Sequence, residues 1–142
     1  MTIFLDTSSL FTFYHNEPGT EETEQIFSEN TVRAVFISSI SKVEFSSAVW
    51  KKVRTGDINK EQAKLLITAF ETDADKYTCI EVTDSILENA SKLIAKYGKK
   101  GLRTLDGIQL ATAVFIKNKC DLHISSDDLL KALFKTEGLK TV

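Results

Sequence analysis

The chain has 142 residues, of which 42% are hydrophobic and 27% are charged, and its formal net charge is −2. This length fits one folded domain, residues 1–142, with a core of its own. The small net charge excludes a generic DNA-coating protein but leaves room for a local basic surface. Because the sequence contains no apolar run long enough to cross a bilayer and no basic leader, we expect a cytoplasmic protein without membrane contacts.

The first half of the chain predicts two strands and four helices. Met1–Asp6 and Arg33–Ser38 are short apolar runs typical of buried strands. Apolar spacing and capping residues predict helices over Ser8–His15, Thr20–Glu29 (Thr23, Ile26 and Phe27 inward), Ser41–Arg54 (Val43, Ala48, Val49 and Val53 inward) and Lys60–Thr72 (capped by Asn59).

The second half continues the alternation of strands and helices. The predicted strands are Tyr77–Val82, Asp121–Ser125 and, as a possible fifth, Leu139–Val142. The predicted helices run to Tyr97 from a cap at Thr83 or Asp84, over residues 105–118, and over Ser126–Phe134. Such alternation is typical of one α/β domain whose mostly parallel sheet is covered on both faces.

Four acidic residues follow predicted strands or begin the helices after them. They are Asp6, Glu44, Asp106 and Asp127. Asp106 opens the apolar stretch Ile108–Ile116, in which only Gln109 and Thr112 are polar, so this helix is expected to be buried. Because ligands of parallel sheets bind beyond the carboxyl ends of the strands, we expect the four carboxylates to converge at one edge of the sheet.

Each acid, taken singly, also has a purely structural interpretation. Asp6 fits a helix cap, and Glu44 fits a capping box that begins at Ser41. Asp106 and Asp127 lie in first helical turns, where the helix dipole favours negative charge by about 0.3–1 kcal/mol. Only their joint placement favours a functional site.

A divalent cation resolves the repulsion that four converging carboxylates create. Oxygen ligands without histidine or cysteine favour Mg²⁺ or Mn²⁺ over zinc. Neither Cys79 nor Cys120 belongs to a C-x-x-C motif that would suggest a zinc site. Cys79 and Cys120 are expected to be small buried residues of a reducing compartment.

The ordered motifs resemble those of PIN-domain ribonucleases, and the closest group is the VapC-type toxins of bacterial and archaeal toxin–antitoxin pairs. Asp6–Leu10 after an apolar strand, and Ile37–Ile40 leading to Glu44, are similar to the opening of that family. Leu102–Ala113 resembles its central motif, and Ile124–Leu130 resembles its closing motif. The resemblance covers essentially the whole chain. It departs at Arg103 and Gly107, where relatives often have proline nearby and alanine, respectively.

This resemblance implies a three-layer α/β/α fold with a central, mostly parallel sheet of about five strands. It implies Mg²⁺- or Mn²⁺-dependent endonucleolytic cleavage of RNA, commonly by a homodimer that a cognate antitoxin holds inactive. Asp6, Glu44, Asp106 and Asp127 take the family's metal-binding and catalytic positions; Asp127 rather than Asp128 lies three residues after the last apolar residue of its strand. Attack by a metal-activated water is then expected to leave a 5′-phosphate and a 3′-hydroxyl.

Contacts with RNA are expected around the acids, because the acids themselves repel it. Ser8 and Ser125 are candidates beside the carboxylates. Basic candidates are Lys96, Lys99, Lys100 and Arg103, followed by Lys51, Lys52 and Arg54, although a solvated loop and helix end explain these residues equally well. Four aromatic residues are candidates for stacking on RNA bases, although aromatic side chains more often lie in a core or an interface. They are Phe11, Phe13, Tyr14 and Trp50.

Several other classes of protein do not fit the sequence. A haloacid-dehalogenase-like phosphatase needs an Asp where Ser8 stands, a response-regulator receiver needs an acidic pair after its first strand, and no phosphate-binding P-loop occurs. Two alternatives to a toxin nuclease stay open. One is a housekeeping RNA-processing nuclease of the same fold, and the other is a non-catalytic scaffold that binds RNA or protein.

Overall fold

The computed structural model describes all 142 residues and contains one sheet of four parallel strands. The strands are β1 (Thr2–Leu5), β2 (Ala34–Ser38), β3 (Tyr77–Ile80) and β4 (Leu122–Ile124). Their order across the sheet is β3-β2-β1-β4. The first strand therefore lies between β2 and the last strand, with Leu5 opposite both Ile37 and Ile124.

Seven α-helices follow or separate the strands. They are α1 (Thr7–Phe11), α2 (Thr20–Glu29), α3 (Ser41–Arg54), α4 (Lys60–Asp73), α5 (Asp84–Tyr97), α6 (Thr104–Phe115) and α7 (Asp128–Thr136). Local sequence explains where several begin. Asn59 and Gln62 form a capping box at α4, and the Thr83 hydroxyl, rather than Asp84, caps α5.

Each face of the sheet carries its own hydrophobic core, which makes the fold three-layered. Alternate side chains of β1 point to opposite faces, as a pleated strand requires. Ile3 and Leu5 belong to a cluster of 12 buried residues with α1, α3 and α4, whereas Phe4 belongs to a cluster of 15 with α5, α6 and α7. The three-layer α/β/α arrangement with a parallel sheet confirms the predicted fold class.

The predicted fifth strand is wrong. Residues 139–142 form no strand, and the backbone contact of this segment with β4 is the bond from His123 N to Lys140 O, at 2.8 Å. A single bond does not make a ladder, because a strand needs repeated pairing along its edge. The sheet therefore ends at β4.

Two further predictions about helices need correction. Val43 does not face inward, since it is 71% exposed. Phe45 and Val49 occupy the core side of α3, and Val43 lies about 200° round the helix from Phe45. The helix predicted over 105–118 ends at Phe115, and a short 3₁₀ turn, Lys117–Lys119, follows it. The prediction that this helix is buried is confirmed, since all residues from Gly107 to Ala113 are buried.

His123 is buried, and the two cysteines are partly buried. His123 is 1% exposed between the rings of Phe4 and Phe134, and burial lowers the pKa of its imidazole below the usual value. Cys79 and Cys120 are free and half-buried, rather than buried as predicted. None of the helices combines the length and apolar character that crossing a membrane demands.

Candidate functional site

The four predicted acids line one cavity at the carboxyl ends of the strands. This cavity, which we call the acidic cavity, has a volume of about 290 Å³ and is lined by Asp6, Glu44, Asp106 and Asp127 together with Thr7, Ser8, Ser47, Ala48, Lys51, Arg54, Leu105 and Gln109. It lies where the strand order reverses: β2 follows β1 on one side, whereas β4 pairs with β1 on the other. Open α/β sheets characteristically bind ligands at such a switch point.

Asp6 is held by a dense set of hydrogen bonds at the floor of this cavity. It is 3% exposed, and its carboxylate accepts from Ser9 N at 2.9 Å, from Ser9 Oγ at 2.8 Å and from Ser125 Oγ at 2.6 Å. The Ser8 hydroxyl also donates to it. Burial raises the pKa of Asp6 above its usual value, and these hydrogen bonds act in the opposite direction. Asp6 therefore caps α1 and faces the cavity at once.

Asp127 and Ser125 complete this side of the site. Asp127 Oδ1 accepts from Leu130 N at 2.8 Å, so this carboxylate caps α7, which begins at Asp128. Ser125 Oγ links the two acids, because it donates to Asp6 and accepts from Asp127 N at 3.0 Å. The two serines predicted beside the carboxylates, Ser8 and Ser125, thus contact Asp6 directly.

Glu44, which lies in α3, is fixed by side chains from two other helices and forms no capping box. Its Oε1 lies 2.8 Å from Gln109 Nε2 and 2.9 Å from Thr7 Oγ1. Ser41 joins this group, with Oγ 2.9 Å from Thr7 Oγ1 and 3.1 Å from Gln109 Nε2. The residue that caps α3 is Ile40, which offers no side-chain bond, so the structural interpretation of Ser41 and Glu44 as a capping box is wrong.

Asp106 differs from the other three acids because its carboxylate has no hydrogen-bond partner. It lies in the first turn of α6, and Arg103, the residue that precedes this helix, provides no side-chain cap. Burial and the negative charges of Asp127, Asp6 and Glu44 raise the pKa of Asp106 to about 6. Its charge is therefore the least compensated in the cavity.

The donor set fits a hard divalent cation. No Lys or Arg nitrogen lies within 4.0 Å of any of the four carboxylates, so no protein cation neutralises them. As the side chains stand, no three His, Cys, Asp or Glu residues form a group that could hold a metal ion on their own. Mg²⁺ typically takes one or two carboxylates and keeps several waters, which is compatible with this looser arrangement.

Only some of the basic candidates lie beside the acids. Lys51 and Arg54, which the sequence ranked second, line the acidic cavity, and Arg103 lines an adjoining cleft with Glu44 and Asp106. Lys96 is instead bound to Glu137, with Nζ 3.0 Å from Oε2. Lys99 and Lys100 are exposed but line neither cavity; Lys100 lies over the Tyr97 ring.

The aromatic candidates divide between the core and the surface. Phe11 is 5% exposed and packs in the core against Phe45, which excludes it from base stacking. The Tyr14 hydroxyl is 3.0 Å from Asp73 and 2.6 Å from the Tyr77 hydroxyl, so its polar end is engaged. Phe13 and Trp50 are each 38% exposed, and Trp50 does not line the acidic cavity.

Sequence reasoning missed the network around Glu44. Gln109 was noted only as a polar interruption of an apolar helix, yet it is 1% exposed and contacts all three other members of the network. Thr7 has no predicted contact with Glu44, and Ser41 is predicted only as the start of a capping box. The available signal was the buried polar side chain itself, because a glutamine inside an apolar helix needs hydrogen-bond partners.

Comparison with solved structures finds close similarity of fold at low sequence identity. The toxin VapC20 of Mycobacterium tuberculosis, described as cleaving the sarcin–ricin loop, has a TM-score of 0.69 at 15% identity, covering 92% of this chain and 94% of that one. FitAcB of Neisseria gonorrhoeae has a TM-score of 0.67 at 16% identity, covering 98% and 95%. VapBC2 of Rickettsia felis, bound to a promoter DNA fragment, has a TM-score of 0.64 at 17% identity, covering 100% and 98%.

The family match is independent of these structural similarities. No curated protein sequence matches the chain significantly. The PIN domain family, in contrast, matches residues 3–133, a span that includes all four acids of the cavity and the whole sheet except Thr2. On this match, and with the fold that it shares with VapC toxins, the chain belongs to the PIN domain family.

Proposed function

We propose that this protein is a Mg²⁺- or Mn²⁺-dependent endoribonuclease and the toxin of a toxin–antitoxin pair. The observation that carries the proposal is the convergence of four carboxylates on one cavity that no protein cation neutralises. Uncompensated buried charge is costly, and functional need is a common reason for keeping it. The PIN fold, whose similar structures include toxins and toxin–antitoxin complexes, supports the same proposal.

Asp6, Glu44, Asp106 and Asp127 are the residues that would hold the cation. When bound there, Mg²⁺ or Mn²⁺ supplies Lewis acidity, which lowers the pKa of water and stabilises negative charge on a phosphodiester. The four carboxylates provide oxygen ligands of the kind that both cations prefer. Asp106, with its raised pKa, gains most from a bound cation because no hydrogen bond competes for its oxygens.

The neighbouring polar side chains keep two of these carboxylates in fixed orientations. Ser8 and Ser125 hold Asp6, and Thr7 and Gln109 hold one oxygen of Glu44. Preorganised ligands lose little conformational freedom when a cation or a phosphate arrives, which favours both binding and reaction. We assign these four residues an orienting role.

The proposed partners are RNA as the substrate, a cognate antitoxin as the inhibitor, and a second copy of the chain in a homodimer. Toxin–antitoxin complexes among the similar folds support the antitoxin. Expression in bacteria separates a toxin from a housekeeping nuclease. The wild type should arrest growth and an Asp106→Asn variant should not, whereas unimpaired growth with soluble, active wild-type protein would favour the housekeeping role.

The direct test is cleavage of a mixed RNA pool by purified protein with Mg²⁺, with Mn²⁺ or with EDTA. We expect cleavage only with a metal, and a loss of at least about a hundredfold in Asp6→Asn and Asp106→Asn. Asp128→Asn is the matched control, since Asp128 is exposed and neighbours Asp127 but does not line the cavity. The products should carry 5′-phosphate and 3′-hydroxyl ends.

Two results would overturn the proposal. A folded wild type that cuts no RNA with either metal would favour the non-catalytic scaffold. Cleavage that survives EDTA, or that persists in both Asp variants, would mean that the activity does not depend on the acidic cavity. Circular dichroism and thermal unfolding of each variant establish that it is folded before its activity is compared.

A further inference from the structure

Three cations border the acidic cavity without pairing to it. Lys51 and Arg54 line the cavity itself, and Arg103 lines the adjoining cleft with Asp106 and Glu44. None of the three lies within 4.0 Å of a carboxylate oxygen, and none donates a side-chain hydrogen bond. The charges of these three side chains are therefore not neutralised by an ion pair within the protein.

Two other lysines, Lys52 and Lys96, are by contrast held by carboxylates. Lys52, the neighbour of Lys51, is bound to Glu17 at 2.6 Å, and Lys96 is bound to Glu137 at 3.0 Å. The three bordering cations therefore retain charge that the protein does not use. They flank the acids from two directions, since Lys51 and Arg54 belong to the end of α3 and Arg103 precedes α6.

A second cavity adjoins the acidic cavity on the Lys51 side. Its volume is about 520 Å³, and it shares Thr7, Ser8, Ala48, Lys51 and Asp127 with the acidic cavity. Volumes of about 300–1,000 Å³ are typical of ligand sites. An extended chain can therefore run from the Arg103 cleft, over the acids, into this second cavity, with Lys51 between the two cavities.

We propose that Lys51, Arg54 and Arg103 bind successive phosphates of the RNA backbone on either side of the acids, and we call these residues the phosphate clamp. The inference deepens the proposed function and rests on RNA being the ligand. The clamp supplies the attraction that the acidic cavity cannot, and it holds one phosphodiester over the carboxylates. Because phosphate contacts carry no sequence information, the clamp contributes affinity and register but not base preference.

The test measures binding rather than cleavage. A short fluorescent single-stranded RNA is titrated, at several salt concentrations, into protein carrying Asp106→Asn so that the probe stays intact. Adding Lys51→Ala and Arg54→Ala together should weaken binding at least about tenfold, and should lower the slope of log affinity against log salt by about 0.7 per cation removed. Arg103→Ala alone should lower the slope by about 0.7.

The chain offers a matched control for this pair. Arg33 and Lys119 are exposed and form no ion pair. They precede β2 and β4, at the amino ends of the strands, whereas the acidic cavity lies at the carboxyl ends. Arg33→Ala with Lys119→Ala changes the net charge equally and should leave affinity and slope near those of the parent. Thermal unfolding checks both pairs, since Lys51 and Arg54 lie in the last turn of α3, where basic residues stabilise a helix slightly.

The clamp is wrong if the Lys51/Arg54 pair binds RNA with the affinity and slope of the parent, if both pairs lose affinity equally, or if the parent binds no RNA at low salt. Failure of the proposed nuclease is a separate result. RNA binding that depends on Lys51 and Arg54, in a protein that never cleaves, would leave the clamp standing and remove the catalytic proposal.

Discussion

The two walls of the acidic cavity are built in opposite ways. The wall at the ends of β1 and β4, the strand wall, contains Asp6, Ser125 and Asp127, whose polar atoms bond to one another and to helix N-termini. The wall at the start of α6, the helix wall, contains Asp106 and Arg103, whose side chains form no hydrogen bond or ion pair. The carboxylates of the strand wall therefore also stabilise the fold, whereas the side chains of Asp106 and Arg103 contribute no hydrogen bond or ion pair to it.

Substitution of Asp6, in the strand wall, should cause the largest change in stability. Asp6→Ala removes the acceptor for Ser9 N and for the hydroxyls of Ser8 and Ser125, and removes the cap of α1. We expect a loss of about 2 kcal/mol in the free energy of unfolding, or about 4–8 °C in melting temperature. Thermal and urea unfolding measure it, with exposed Asp128→Ala as the control. An Asp6→Ala protein as stable as wild type would contradict the description of the strand wall.

Asp106→Asn, in the helix wall, should instead increase the stability of the protein, and the size of the increase should depend on pH. The pKa of Asp106 is raised to about 6 in the folded protein, above the value of about 4 in the unfolded chain. Ionisation therefore destabilises the fold: the wild type loses stability as pH rises from about 4 through 6, and the variant does not. In EDTA we expect the variant to be more stable by about 1–2 kcal/mol above pH 7, after allowance for its partial exposure.

The measurement for Asp106 is urea unfolding of both proteins across this pH range. Below pH 4 the two curves should converge, since the wild-type carboxyl is then protonated in both states. A stability difference that is constant with pH, or a variant less stable at neutral pH, would contradict the interpretation of this side chain as an uncompensated charge.

The hydrogen bonds that orient Glu44 should have a smaller effect on stability and a visible one on activity. Thr7→Val keeps the shape of the side chain but removes the hydroxyl 2.9 Å from Glu44 Oε1. We expect a loss of about 1 kcal/mol in stability and of about tenfold in metal-dependent cleavage. Thr112→Val is the matched control, since Thr112 is also buried but its hydroxyl bonds only to Ile108 O within its own helix. Equal activity of the two variants would contradict an orienting role for Thr7.

Gly107→Ala should have the smallest effect. A Cβ at this position would lie 2.8 Å from Ile94 Cδ1 and 2.9 Å from Ile94 Cγ1, so the isoleucine must shift. The higher helix propensity of alanine, about 1 kcal/mol, offsets that shift, and we expect a net change within about 1 kcal/mol with unchanged cleavage. Combining it with Ile94→Val should give a stabilised protein in thermal unfolding. Loss of cleavage in the single variant would show that the start of α6 tolerates no movement.

The sequence predicted what depends on local pattern and on parallel topology. Strands alternating with helices indicated the layers, and the position of each acid after a strand or at a helix start indicated where the carboxylates would lie. The caps Asn59 and Thr83 could be predicted for the same reason, because capping requires only neighbouring residues. The roles of the four acids and the metal stay predictions.

What the sequence did not predict depends on contacts between distant residues. Lys96 is near Asp106 in sequence, but Glu137, 41 residues away, holds it. Gln109 reaches Glu44 across 65 residues, so the network around Glu44 has no local signature. The fifth strand failed because residues 139–142 share their apolar and β-branched composition with real strands, whereas pairing along an edge depends on geometry that composition does not specify.

The pairing of the first strand with the last also determines when the site can exist. Asp6 N donates to Ile124 O, and the Asp6 carboxylate is fixed by Ser125, 119 residues later in the chain. These contacts can form only after the last part of the chain has been synthesised. During translation, Asp6 therefore has no fixed orientation until β4 has left the ribosome, and we expect the growing chain to be harmless to the RNA around it until its synthesis is almost finished.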